Sequence, residues 1–206
     1  LRRTRHSNRR FDQTANRVRK IDTAGLITAF AGTGDSGSSG DGSAATAAQL
    51  NSPTGIAVDA SGGVYISDRS NSRIRKVLGG TISTFAGTSG LSFPSGLSFD
   101  SGGNLIVADS NLIKKITPAA EITTIAGTGS TGTATSGVAA TSTKLGFIQD
   151  VFVAADGAIY ASDTTYDQVY KIAGTTLEFF AGAGSTNLGD GKMEIIRLKT
   201  EYDETV

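Results

Sequence analysis

An all-β propeller of four-stranded antiparallel blades is the fold class that this 206-residue sequence predicts, on three observations. First, one phrase recurs four times, at residues 12–32, 68–87, 109–127 and 163–182. Each copy runs from an Asp through polar residues to a basic-apolar strand ending in Lys and a branched residue, then to an apolar run closing on Ala-Gly. Second, the rhythm is regular: Lys20, Lys76, Lys115 and Lys171 step by 56, 39 and 56 residues, and Gly32, Gly87, Gly127 and Gly182 by 55, 40 and 55. Third, 27 Gly but only three Pro and no Trp, with 38% hydrophobic residues, suit short strands joined by polar turns. A repeat of this length is one supersecondary unit that cannot bury its apolar face alone, so neighbours must stack. Radial stacking of small sheets leaves only short, protected edges.

The elements follow in order. The first copy is partial, with a basic strand Val18-Arg19-Lys20-Ile21. By register, Asn8-Arg9-Arg10-Phe11-Asp12 should be a half-buried strand, yet it holds two arginines. Residues 1–10 are therefore expected to be disordered or poorly packed, and residues 1–11 read as a basic tail. In the second copy, Gly55-Ile56-Ala57-Val58-Asp59 alternates, and Ser61-Gly62-Gly63 supplies the positive φ of a tight hairpin. Then come Val64-Tyr65-Ile66-Ser67-Asp68, the polar turn 69–72, the basic strand 73–77, a Gly79-Gly80 turn and the run 81–87. The third copy repeats this over 96–127 and the fourth over 150–182. Residues 183–206 depart from the pattern as a degenerate C-terminal segment. About three complete blades plus partial ones fall short of the roughly 4–8 of a closed propeller. The expectation is an open or truncated ring, a fragment of something longer whose open blade edges favour self-association.

The second copy, with Leu50-Asn51-Ser52-Pro53-Thr54-Gly55-Ile56-Ala57-Val58-Asp59, Gly63-Val64-Tyr65-Ile66-Ser67-Asp68 and Asn71-Ser72-Arg73-Ile74-Arg75-Lys76-Val77, resembles the NHL-repeat propellers. The spacer 40–50 is also similar to one found in long-linker members. The resemblance covers about residues 12–182 and implies the propeller fold, a scaffold reused for many purposes.

Charge is uneven although the net charge is zero. Residues 1–20 carry eight basic side chains against Asp12, so the remaining 186 residues stand at −7. Cys is absent, which excludes disulfides and thiolate metal sites and leaves the compartment open. No apolar stretch approaches the roughly 18 residues of a membrane span.

The strand-end carboxylates Asp12, Asp68, Asp109 and Asp163 read as turn-stabilising groups rather than an acidic metal ring, with Asp68 and Asp12 expected to pair with Arg73 and Arg17. Lys20, Lys76, Lys115 and Lys171 recur on one strand and read as solvated charges on a strand edge, with a binding surface as the alternative. Binding on a propeller comes mostly from loops on one face, which points to Arg69, Ser70, Asn71, Ser110, Asn111, Thr165, Tyr166 and Asp167. The Gly/Ser-rich run 34–42 reads as a flexible linker, since it lacks the alternating acidic ligands of an EF-hand. The single His, His6, lies in the tail, so no His-based metal centre or Ser-His-Asp triad can form in the repeats. No catalytic residue, metal or cofactor is expected. The leading reading is a non-catalytic scaffold that binds a protein partner or ligand through blade-face loops. The alternatives are RNA binding through the basic tail, disfavoured by the acidic body, and a metal-dependent hydrolase or lyase.

Overall fold

The computed structural model describes residues 15–87 and 89–182, together with the backbone of residues 9–12. Blade I is a three-stranded sheet of β1 (Arg9–Asp12), β2 (Arg17–Ile21) and β3 (Ile27–Ala31). Blade II is β4 (Pro53–Val58), β5 (Val64–Asp68), β6 (Arg73–Leu78) and β7 (Thr81–Ala86), and blade III is β8 (Pro94–Phe99), β9 (Leu105–Asp109), β10 (Leu112–Ile116) and β11 (Ile122–Ala126). Blade IV has five strands: β13 (Ile148–Val153), β14 (Ile159–Asp163), β15 (Gln168–Ala173) and β16 (Thr176–Ala181), with β12 (Val138–Ala139) added outside β16. All four sheets are antiparallel meanders and none closes into a barrel, as an incomplete propeller requires.

One strand begins inside the segment expected to be a tail. Arg9 and Arg10 pair across β1 with Lys20 and Arg19 of β2. An edge strand is held by a single main-chain ladder, which tolerates residues that a buried strand does not. Residues 1–8 and 183–206 lie outside the described residues, and so do the expectations placed on them.

Sequence pattern accounts for each blade. The four meander strands of blades II to IV are lettered A to D in chain order, and β1 to β3 of blade I correspond to B to D. The A–B hairpins turn on an Asp: Asp59 Oδ1 accepts from the N–H groups of Ser61 and Gly63 at 2.9 and 2.7 Å, and Asp100 Oδ1 does the same for Gly102 and Asn104. A register shift between the basic strand and the strand after it recurs at Val18/Arg19, Ile74/Arg75, Ile113/Lys114 and Val169/Tyr170, one repeat position in all four blades, and blades II to IV carry a second between their first two strands. Bulges of this kind increase the local twist. β4 lies against β8 and β8 against β13, so the first strand of each blade meets the first strand of the next.

The core lies between blades rather than within them. Val18 and Ala31 of blade I pack with Val64, Ile66, Val77 and Ile82 of blade II. Tyr65, Ile74 and Ala86 of blade II pack with Leu97, Leu105, Val107 and Ile116 of blade III. Ile106, Ile113 and Ala126 of blade III meet Ile148, Val151, Ala161 and Ile172 of blade IV. Buried hydroxyls add polar stitches: Ser67 Oγ donates to the Ser95 carbonyl at 2.6 Å, and Ser95 Oγ to that of Ile148 at 3.1 Å. Burial of these hydroxyls is tolerated because each has its partner.

The two long linkers are ordered, the first contrary to the flexible linker read from the composition of residues 34–42. Between blades I and II, residues 42–45 run along β7, with Gly42 N–H on Ile82 O, Ile82 N–H on Ser43 O and Ala45 N–H on Gly80 O at 2.8–3.0 Å. The second linker does the same to β16 through Gly137, β12 and Ala140. Each long linker thus covers the outermost edge of the blade it is about to enter, supplying the pairing that an open edge lacks. The two linkers sit 95 residues apart, as Gly32 and Gly127, Ala45 and Ala140, and Leu50 and Leu145 all do. Two consecutive blades and their linkers are therefore the true repeat, with blades I and II answered by III and IV.

Candidate ligand-binding face

In an antiparallel meander, the B–C turns and the connections between blades fall at one end of every blade, and the A–B and C–D turns at the other. The eight loop residues singled out from sequence share the first end, while Lys20, Lys76, Lys115 and Lys171 lie toward the second.

The strand-end carboxylates organise the first face. Asp109 accepts from the backbone N–H groups of Ser92 and Phe93, at 2.9 and 2.8 Å to Oδ1. Asp163 accepts from the N–H of Gly146, Thr165 and Tyr166 and from the Tyr170 hydroxyl. Asp68 accepts from Asn51 N–H and from Asn71 Nδ2, both at 2.7 Å. Each Asp thereby ties its own B–C turn to the segment entering its blade. Burial raises the carboxyls of Asp68 and Asp109 above their ordinary value, outweighing the hydrogen bonds that favour the charged form.

The cation paired with Asp68 is Arg75, not the expected Arg73. Arg75 is fully buried, reaches Asp68 Oδ2 at 3.4 Å and Asp41 Oδ1 at 2.5 Å, and donates to the Gln49 carbonyl at 3.2 Å. Arg73 instead lies beside the Asn71 carbonyl and Thr84 Oγ1. The second residue after Arg73 points back into the blade, whereas Arg73 itself sits at the strand's mouth. Asp41 belongs to the linker and is also held by Thr84 Oγ1 at 2.7 Å. Its partial burial works to raise its carboxyl, but hydrogen bonds from Thr84 and Arg75 and the charge of Arg75 hold it below the ordinary value. Blade IV, 95 residues on, solves the same problem without charge pairing: Tyr170 replaces Arg75, its hydroxyl donating to Asp163 and lying 3.0 Å from Gln168 Oε1.

Half-buried Arg69 joins three blades at this end. The short 3-10 turn Arg69–Asn71 presents its guanidinium 5.6 Å from the Phe93 ring and 5.4 Å from the Phe147 ring. Those rings stand at the entries to blades III and IV, so three blades converge on one cation. Phe93 remains 49% exposed, leaving an aromatic surface beside the charge. Arg69 is half-buried, and cation–π contact engages the face of the guanidinium rather than its in-plane N–H donors. Ser70, Thr165 and Asp167 are exposed, and Tyr166 and Asn111 are half-buried. Asn71, Ser110 and Thr165 are already engaged: Asn71 Nδ2 also donates to Gly37 O, Ser110 O accepts from Ile148 N–H, and Thr165 Oγ1 accepts from Phe147 N–H. Sequence reading missed Phe93 and Phe147. Their signal was a Phe two residues after the buried Leu of each linker end, at Leu91 and Leu145, where blade II has Ser52 after Leu50.

The lysines are not edge charges. Lys76 and Lys115 lie on β6 and β10, interior strands of their sheets, and each meets the Asp of an A–B turn: Lys76 with Asp59 at 3.2 Å, Lys115 with Asp100 at 3.4 Å. Lys20 is exposed and Lys171 half-buried. Burial acts to raise Asp59 and Asp100, but turn hydrogen bonds and the adjacent lysines leave both below the ordinary 3.8. A carboxyl lowered by folding contributes stability above its unfolded value, lost as pH falls through the folded one. Asp59→Asn is therefore expected to flatten the acid side of the stability curve below 3.8, as read from urea midpoints, and to change nothing in its alkaline arm. An unchanged acid slope would show that the pair adds no pH-dependent stability.

Among the described residues, no group of three or more His, Cys, Asp or Glu could hold a metal, and no helix is long and apolar enough to cross a membrane.

Residues 27–101 match the family model of the teneurin NHL domain. They are NHL-repeat sequence. That match, with the four antiparallel sheets, is consistent with a partial NHL propeller, and no curated protein matches the chain in sequence. Several solved structures share its fold. A streptogramin B lyase matches with a TM-score of 0.59 at 15% identity, over 84% of this chain and 50% of its own. A chain of the nidogen–laminin complex matches with a TM-score of 0.60 at 16% identity, over 82% and 59%. A gluconolactonase from Xanthomonas campestris matches with a TM-score of 0.50 at 18% identity, over 63% and 47%. The chain spans about half the length of these propellers. They correct one expectation: lyases and a gluconolactonase are built on this fold, so the reading of the chain as a non-enzyme does not stand. Catalysis on a propeller does not require each stretch of four blades to hold a His- or Cys-based centre of its own.

Proposed function

We propose that this NHL segment is a ligand-recognition surface whose centre is Arg69 between Phe93 and Phe147, and that it takes a carboxylate-bearing ligand with a planar or apolar body. The observation that carries this is the geometry of Arg69: a half-buried guanidinium held by two rings from two further blades. A guanidinium fork matches a carboxylate bidentately, and the half-exposed Phe93 ring offers a surface for the ligand's body. Tyr166 and Asp167 flank this face and set what it excludes.

Ligand-observed NMR with matched carboxylates and carboxamides, benzoate and benzamide among them, tests this on the full chain. Benzoate is expected to bind saturably in preference to benzamide, and Arg69→Ala to weaken it by roughly tenfold to a hundredfold, in line with a charge-assisted hydrogen bond of roughly 1.5–3 kcal/mol. Equal binding of benzamide, or benzoate binding indifferent to Arg69→Ala, would overturn the proposal.

A second reading, favoured by the likeness to a lyase and a gluconolactonase, is that this face holds a substrate for metal-assisted catalysis in a more complete propeller. Hydrolysis of glucono-δ-lactone by the chain, with divalent cations added, would support that reading. A rate equal to background with every cation would count against it.

A further inference from the structure

The interfaces between successive blades are built from equivalent positions, and two of them differ in one respect. Between blades II and III, the Tyr65 ring fills the gap at the A–B turn end. It meets Phe85 and Phe99 edge to face, with centroids 4.9 and 5.1 Å away. Its hydroxyl oxygen accepts from Lys76 Nζ at 2.7 Å, while Lys76 also pairs with Asp59. Between blades III and IV the same three positions hold Ile106, Ile125 and Val153. The polar end is retained, since Lys115 and Asp100 form the same ion pair as Lys76 and Asp59. Blade IV returns to the aromatic solution, with Tyr160 edge to face on Phe180 at 4.8 Å. Among blades II to IV, only blade III lacks a ring at this position.

The consequence is a half-open cavity of about 210 Å³, lined by Ile106, Ile125, Val153, Ile159 and Ile172 with Asp100 and Lys115 at its polar end. An apolar cavity of about 150 Å³ is already enough to take up benzene. We propose that this cavity is a binding site for a small monocyclic phenol, seated where the Tyr65 ring sits one interface earlier, its hydroxyl on Lys115 and its ring against the isoleucines. The protein displays the complex in its own fold: the Tyr65 side chain is p-cresol tethered to the backbone, and Lys76 with Asp59 shows how such a hydroxyl is received. The site lies toward the opposite end of the blades from Arg69 and shares no residue with the carboxylate site.

The experiment is a titration of the isotope-labelled full chain with p-cresol, and with toluene as the ring lacking the hydroxyl, followed by NMR at the amides and methyls of Ile106, Ile125, Val153 and Ile159. Saturable shifts confined to this interface are expected with p-cresol. Ile106→Tyr, which installs the blade II arrangement, is expected to abolish them. Ile125→Phe fills the cavity from the opposite wall, and circular dichroism establishes which of the two variants is folded. Lys115→Met is expected to weaken p-cresol about tenfold and leave toluene unchanged. Absence of saturable shifts at these residues, p-cresol binding that survives in a folded cavity-filling variant, or toluene binding as tightly as p-cresol would each overturn the assignment.

Discussion

Replacing Arg75 by methionine is expected to lower the unfolding free energy by about 3–5 kcal/mol, the usual consequence of leaving a buried ionic partner uncompensated. Arg75 is fully buried and joins three parts of the chain: Asp68 at the end of β5, Asp41 in the linker and the Gln49 carbonyl. Methionine fills much of the volume but strands Asp68, whose carboxyl burial already pushes up. A carboxyl raised by folding contributes stability that is complete below its unfolded value and lost as pH climbs through the folded one. Loss of the Arg75 charge raises Asp68 further, so the penalty should grow in urea unfolding as pH climbs above the ordinary carboxylate value of 3.8. The double variant Arg75→Tyr with Asp41→Ser copies blade IV, where Tyr170 and Ser136 occupy these positions. It should retain more stability than Arg75→Met. A loss below about 1 kcal/mol for Arg75→Met would mean that the buried pair contributes nothing beyond its volume.

Gly96→Ala is expected to cost about 3 kcal/mol or more, the upper range for forcing extra atoms into a close contact. A Cβ at Gly96 would lie 2.1 Å from Asp150 Oδ1, 2.5 Å from Asp150 Cα and 2.8 Å from Val151 N, which belong to the first strand of blade IV. Two of those three atoms are backbone, so relief requires blades III and IV to separate. Gly55 meets blade III in the same way, with a Cβ 1.9 Å from the Ser95 carbonyl oxygen. The comparison variant is Gly62→Ala, whose Cβ would enter open space and whose only penalty is a φ of +84°, about 1–2 kcal/mol. If Gly96→Ala proves no more damaging than Gly62→Ala, close approach of the inner strands is not what holds adjacent blades together.

Much of the fold was legible in the sequence because its signals are local. Alternation in Val64-Tyr65-Ile66-Ser67-Asp68, the Ser61-Gly62-Gly63 turn and the basic strand each report on a few neighbouring residues, and the long, short, long rhythm multiplies that signal. The strand-end carboxylates were legible for the same reason, since an Asp before a polar turn has backbone N–H groups within reach wherever the turn occurs. Arg9 and Arg10 misled because patterning describes burial, and an edge strand needs pairing more than burial.

The candidate sites depended on contacts between segments far apart in the chain. Phe93 and Phe147 reach Arg69 only because the first strands of blades III and IV stand beside blade II, and Asp41 reaches Arg75 only because its linker turns along β7. By itself, the sequence determined the blades, their order and their uneven spacing, because strand alternation and turn chemistry act within a few residues. Tertiary structure alone decided which edge each linker covers, which cation answers Asp68 and which blade interface is left without its ring. Those outcomes rest on side chains at equivalent positions of neighbouring blades, whose sizes and charges become complementary or unmatched only when the blades stack.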